Sequence, residues 1–184
     1  WTGTRYRAYP SEGGHVDFAP RNAREGSLLQ WLGARYGHVS YERVCSGMAI
    51  PDLYRFMREV VGMDADPVVA ARVAVSDEPT PVIVEAAFGH DVQCPTCHAA
   101  LEVFVSVLAA EAGNLALKVL ATGGVYLAGG MPRRVLSLLE RDEFRAAFCD
   151  KGQFGALVDR IPVHVVTNPR IGLIGAIRRG VEGE

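Results

Sequence analysis

The run PTCHAALEVFVSVLAAEAGNLALKVL at residues 95–120, followed by GVYLAGG at 124–130, decides how this chain folds. Apolar side chains fall at Leu101, Val103, Phe104, Val105, Val107, Leu108, Leu115 and Leu117, nearly all round a helix from Pro95 to about Leu120. A helix that is apolar on every side is a buried helix, and the expected partner here is a sheet. Gly113 lies inside it at a small cost in helix propensity. The run that follows is short, β-rich and ends in paired glycines, and Pro162-Val163-His164-Val165-Val166 reads as a strand. Strands alternating with helices argue an α/β fold with a mostly parallel or mixed sheet flanked by helices.

Outward from that centre, Leu28, Leu32 and Tyr36 repeat every four residues and predict a helix from about Arg24 to Tyr36, stopped by Gly37. Tyr6 to Pro20 reads as a strand end and a Gly- and Pro-rich loop, and Arg43 to Cys45 as a short strand. Pro51 suits a first helical turn, with Leu53, Met57 and Val60 as the buried stripe and Gly62 as the stop. Residues 63–78 read as a short helix and loop, and Thr80-Pro81 as an N-cap with Pro at N1 of a helix to about Phe88. Helical patterns return from Arg133 to Glu140, then near Phe144 and Leu157. After the Asn168-Pro169 turn, Gly172 to Arg179 is a last helix whose glycines, Gly172 and Gly175, suit close helix packing.

Composition narrows the function classes. Hydrophobic residues make up 49% and charged residues 22%, the balance of a globular chain. With 19 basic and 21 acidic residues the formal net charge is −2, and no basic surplus points to nucleic acid or an anionic membrane. The apolar stretch near Ala99 to Ala110 is broken by Glu102 and reads as too short to span a bilayer. Trp1-Thr2-Gly3-Thr4-Arg5 has neither a signal-peptide layout nor an initiator Met, which is expected of a chain cut from something longer or of one whose Met was removed by processing. Cys45, Cys94, Cys97 and Cys149 read as reduced thiols.

Five clusters carry possible chemistry. In Ser11-Glu12-Gly13-Gly14-His15, two glycines between a carboxylate and an imidazole let both side chains face one cleft, where they suit sugar hydroxyls. The residues alone divide evenly between that reading and a surface loop with a stray His. Gly37-His38-Val39-Ser40-Tyr41-Glu42 places another carboxylate before an apolar run, and by itself reads as a surface segment in which Glu42 pairs with Arg43. Ala128-Gly129-Gly130 ends a strand, where backbone can approach a phosphate or can simply turn. Cys94-Pro95-Thr96-Cys97-His98 invites redox, zinc and haem readings. Zinc needs a second close cysteine pair, haem needs export and an axial ligand, and a redox dithiol needs a strand before it, which Gly89 to Gln93 is not. The pair is expected to start the buried helix. Asn168 to Ala176 is read as structural.

Together, Glu12-Gly-Gly-His15-Val-Asp-Phe-Ala-Pro20, Gly37-His-Val-Ser-x-Glu42-Arg-Val-x-Ser-Gly47, Gly113-Asn-Leu-Ala-Leu117, Gly123-Gly-Val-x-x-Ala-Gly-Gly130 and Gly172-Leu-Ile-Gly-Ala176 resemble bacterial ATP-dependent glucokinases in order and spacing. The resemblance covers nearly the whole chain, and the first two motifs are the specific ones. It implies an actin-like (ribonuclease H-like) ATPase-type domain and phosphorylation of glucose to glucose 6-phosphate. It implies that Glu12, His15 and Glu42 bind glucose hydroxyls, and that Gly129 and Gly130 lie in a cleft for ATP, which brings Mg²⁺. Cytoplasmic homodimers are the family's habit.

Two departures stand out. Met131-Pro132-Arg133-Arg134 follows Gly130 with the proline one place early, and the family's Gly-Thr phosphate loop and its Asn-Asp pair, whose Asp is the general base, are not in these residues. Residues 1–184 are therefore expected to be the C-terminal large domain, inactive without an N-terminal small domain. A non-catalytic sugar-binding or sensing domain is the alternative, against which stands the lack of the cysteine-rich zinc motif usual in the related repressors.

Overall fold

A helix that is apolar over most of its surface must be largely surrounded, and that demand organises this chain. The computed structural model describes residues 3–4, 7–89 and 94–182. Its helices are α1 (Ala23–Tyr36), α2 (Ile50–Glu59), α3 (Pro67–Val75), α4 (Pro79–Phe88), α5 (Pro95–Lys118), α6 (Gly130–Arg134), α7 (Leu136–Leu139), α8 (Asp142–Cys149), α9 (Gly155–Val158) and α10 (Ile171–Glu182). The strands are β1 (Val125–Leu127) and β2 (Val163–Val165). Readings that fall on Tyr6 and on His90–Gln93 lie outside the described residues.

Helix α5 forms where the apolar run predicts it. Leu101, Val103, Phe104, Val105 and Val107 are all buried, while Glu102 among them is exposed. Its main neighbours are α8, α2 and α4, so helices cover it where a sheet was expected. The sheet is too small to cover a helix of this length. Strands β1 and β2 run parallel, with Tyr126 opposite His164, and form a two-stranded ladder rather than a mixed sheet among the described residues. At 24 residues α5 also has the length and apolarity of a bilayer-crossing helix, contrary to the shorter span read from sequence, but most of it is buried inside the protein.

Gly113 is where α5 and α8 meet most closely. A Cβ there would fall inside the contact shell of the Phe148 carbonyl oxygen and 2.8 Å from Lys151 Cε. The glycine that costs helix propensity is what lets the carboxyl end of α8 lie against α5.

The start of α1 is pinned to the same helix. Asn22 Oδ1 accepts the Glu25 N–H at 2.9 Å, and Glu25 answers by accepting from Asn22 Nδ2 at 3.1 Å and from the Arg21 N–H at 2.8 Å. This reciprocal cap is an Asn-x-x-Glu signature. Arg21 Nη2 then reaches both Glu25 Oε1 and Ser106 Oγ on α5 at 2.6 Å.

Three local readings are corrected. Residues 43–45 are no strand: Tyr41–Arg43 is a 3₁₀ turn, and the Val44 and Cys45 N–H groups both bond to the Tyr41 carbonyl. Thr80 is not the cap of α4, which begins at Pro79; its hydroxyl donates to the Gly47 carbonyl at 2.7 Å instead. Gly172 and Gly175 pack against nothing, since a Cβ at either would meet no atom within 4 Å and α10 is exposed from Ile171 to Val181.

The contact at Gly113 makes a signed prediction. Gly113→Ala lowers stability by about 1–3 kcal/mol, the cost of overpacking. Gly33→Ala, inside α1 with open space around it, raises stability by about 0.5–1 kcal/mol. Denaturant midpoints of the two variants move in opposite directions; a Gly113→Ala midpoint equal to the parent's would mean that α8 yields freely.

Candidate functional site

Two loops that are distant in sequence are joined edge to edge. Asp17 and Ser40 form an isolated antiparallel bridge. The Phe18 N–H donates to the Val39 carbonyl at 2.9 Å, and the Tyr41 N–H to the Val16 carbonyl at 3.1 Å. Phe18 and Tyr41 are buried beneath the join, their rings edge to face at 5.8 Å. On the outer side, His38 Nε2 lies 2.7 Å from Asp17 Oδ1.

This join brings two of the three expected sugar residues together. Gly13–His15 is a 3₁₀ turn that starts from Glu12, with the His15 N–H on the Glu12 carbonyl at 2.9 Å. His15 Nε2 then stands 3.5 Å from Glu42 Oε2, with the side chains 64% and 41% exposed, both open to a ligand from solvent. Glu12 shares the turn with His15 and is exposed. Arg43 is not the partner of Glu42: its guanidinium lies 4.1 Å from the centre of the Tyr36 ring. The Glu42 carboxylate and the His15 imidazole on one edge, with Glu12 at the start of the adjoining turn, offer acceptors and a switchable donor, the set that a polyhydroxylated ligand needs.

A cavity of about 710 Å³ lies between the residues after Glu42, the start of α4 and the start of α6. Ser46, Gly47, Thr80, Gly130 and Arg134 line it. Gly129 precedes α6 with φ +105°, a conformation that favours glycine, and a Cβ at Gly130 would meet nothing within 4 Å. Gly130 is thus on the cavity wall, while Gly129 makes the turn. The Ser46 hydroxyl is buried without a hydrogen-bond partner among the described residues. Ser46 is four residues from Glu42, at most about 14 Å along the chain, so the cavity and the joined loops are neighbours. Another cavity, of about 570 Å³, is lined by Asn22, Ser106, Arg141 and Phe144 and by none of the residues above.

The cysteines are structural in their contacts. Cys94 caps α5, its sulfur accepting the Cys97 N–H at 3.2 Å, and both residues are buried. Burial, with the neighbouring Cys94 thiol, holds the Cys97 thiol above its ordinary pKa. Burial pushes the Cys45 thiol up to about 12, with the Glu111 carboxylate adding to the effect. Among the described residues no three His, Cys, Asp or Glu stand together to hold a metal ion.

Sequence reasoning missed Ser46, Thr80 and Arg134 as cavity residues. Ser46 and Thr80 were visible only as turn and cap residues, because the fold alone brings the 46–47 turn to the start of α4.

Comparison with known proteins sets these features in a family. The family model for glucokinase matches residues 1–180. The chain is 40% identical over 187 aligned positions to a glucokinase of Trichormus variabilis, covering 95% of this chain and 54% of that protein. It is 41% identical over 185 positions to a Synechocystis glucokinase, covering 94% and 51%. Among solved structures it is similar to a glucokinase from an Antarctic psychrotroph, with TM-score 0.74 and 34% identity over 91% of this chain and 48% of that one. The fold is also that of the Balamuthia mandrillaris glucokinase solved with glucose, with TM-score 0.70 and 24% identity over 91% and 46%. The chain spans about half the length of the curated relatives it matches.

The raised thiols give a chemical check. A thiol with a pKa of about 12 is ionised in only about one molecule in ten thousand at pH 8, and the thiolate is the nucleophile. In the native chain at pH 8, Cys45 and Cys97 stay unmodified after brief iodoacetamide treatment, as read by peptide mass spectrometry, and react once the chain is unfolded. Rapid native alkylation of either would contradict their burial.

Proposed function

The chain belongs to the glucokinase family, and on that footing we propose that it supplies the glucose-holding edge and part of the ATP cleft of an ATP-dependent hexose kinase. The observation that supports this most is the join of residues 16–18 to 39–41, which sets His15 and Glu42 3.5 Å apart on an open edge. Glu12 and Glu42 accept hydrogen bonds from sugar hydroxyls, and His15 donates or accepts according to its tautomer. A sugar lacking one of those hydroxyls leaves a desolvated polar group unpaired, which is how such an edge discriminates.

On the ATP side, Gly129 and Gly130 make the open turn at the cavity. Of the side chains that line it, the Arg134 guanidinium suits a phosphate oxygen, and the Asp77 and Glu78 carboxylates suit hydroxyls such as those of ribose. Mg²⁺ belongs with the ATP phosphates and retains water ligands. The architecture is read as the large domain of an actin-like fold, acting in a cytoplasmic homodimer.

Phosphoryl transfer asks the protein to position its reactants and to neutralise phosphate charge. A general base must reach the attacking hydroxyl, and in the family that base is an Asp of an Asn-Asp pair that residues 1–184 do not provide. This chain therefore binds and orients glucose, and the proton goes to a group beyond it.

Two measurements test this. Glu42→Ala weakens glucose binding about tenfold or more in calorimetry, the loss of a charge-assisted hydrogen bond, and leaves the melting temperature within about 2 °C. Unchanged affinity would contradict the role. The pure 184-residue chain releases no glucose-dependent ADP from ATP; sustained release would place a working base within it.

A further inference from the structure

Glu42 stands on a turn that cannot hold its own direction. Tyr41–Arg43 is a single 3₁₀ turn without a side-chain cap at Ser40, closed by the Arg43 N–H on the Ser40 carbonyl and the Val44 N–H on the Tyr41 carbonyl, each 3.0 Å. So short a turn has too few bonds to fix its orientation against the rest of the protein. What fixes it is Tyr41. Its backbone is bonded to the opposite loop at Val16, and its ring, 5% exposed, packs on Phe18. Its hydroxyl accepts from Asn114 Nδ2 at 3.3 Å, and the same amide group donates to Glu111 Oε2 at 3.0 Å.

Both partners belong to α5, the long central helix of the core. Asn114 is the polar member of the Gly-Asn-Leu-Ala-Leu stretch at 113–117, for which glucose and ATP contacts leave no use. Burial, with the nearby Glu111 charge, holds the Tyr41 hydroxyl above its ordinary pKa, so it stays a neutral phenol.

From these contacts we propose that Tyr41, tied by its hydroxyl to Asn114 on α5, is the positioning residue that aims Glu42 at the sugar. The inference rests on the reading of Glu42 as a glucose-holding residue. Tyr41 and Glu42 are consecutive on one turn, so a shift in where the buried ring seats moves the backbone that carries the carboxylate. A displacement of about 1 Å at a ligand-positioning group is costly. Phenylalanine would fill the same space under the join; the hydroxyl adds a directional bond to α5, not volume.

The test is glucose calorimetry on the full chain with Tyr41→Phe, Asn114→Ala and the double variant. Each single change weakens glucose about fivefold to tenfold, the worth of one hydrogen bond, and the double variant is no weaker than the singles by more than about twofold. Tyr41→Phe keeps its melting temperature within about 2 °C of the parent. A merely structural role would lower the melting temperature and leave the affinity of the folded chain alone. If Asn114→Ala does not fold, Asn114→Leu, of similar volume, takes its place. Glu42→Ala separates the failures. Loss of binding in Glu42→Ala with parental affinity in Tyr41→Phe overturns the proposal alone. Additive losses in the double variant also overturn it, because the two residues then act separately. A parent that binds no glucose, or a Glu42→Ala variant that binds as well as the parent, overturns the proposal together with the reading beneath it.

Discussion

Helix α5 is apolar over most of its surface, and the rest of the chain is arranged to answer that. Amphipathic α2 turns Ile50, Leu53, Phe56 and Met57 inward, α4 adds Ile83 and Val84, and α8 brings Phe144 and Phe148. Interiors pack at crystal-like density, so three helices can surround one only where their backbones are allowed to approach. Gly113 grants that approach against α8 at the Phe148 carbonyl. The core is thus a helix cluster with a short parallel ladder beside it, and the ladder serves to end at Gly129 and Gly130.

The same helix holds the surface chemistry in register. One tether runs from Ser106 through Arg21 to the capped start of α1, fixing where the 12–20 loop must end. A second runs from Asn114 to Tyr41 and fixes the turn that carries Glu42. Between them the bridge of Asp17 and Ser40 closes the two loops on each other. Loops carry binding residues most usefully when a rigid scaffold places them, and here the scaffold is one buried helix reached by polar side chains at two points along its length. The residues expected to hold glucose sit on the outer edge, where exposure leaves their hydrogen-bonding capacity free.

Much of this was legible in residues 95–130 and in the two loop motifs. Apolar residues nearly all round the helix from Leu101 to Leu117 announced a buried helix, and Val163 to Val165 announced a strand. What covers a buried helix is not written in the helix itself, and so the expected sheet proved to be α2, α4 and α8. Arg43 to Cys45 misled because three apolar-flanked residues fit a strand or a turn equally well, and only the bonds back to the Tyr41 carbonyl decide. Glu12, His15 and Glu42 were singled out by the resemblance of their motifs to glucokinases, yet the approach of His15 to Glu42 depends on a bridge between residues 23 positions apart. The buried Ser46 hydroxyl leaves no trace in sequence at all, because an unpaired polar atom is a property of packing. The Asn22-x-x-Glu25 cap was present to be read and marks the true start of α1.

The central claim is that the joined loops form a sugar edge already shaped before ligand arrives. Amide chemical shifts of the isotopically labelled chain, followed during titration with glucose and separately with galactose, test it most directly. The account predicts shifts concentrated at residues 12–18 and 38–44, saturating with glucose and absent with galactose, while the amides of α8 and α10 stay still. Shifts spread over the whole chain, shifts centred on the cavity lined by Asn22 and Arg141, or equal responses to the two sugars would contradict it.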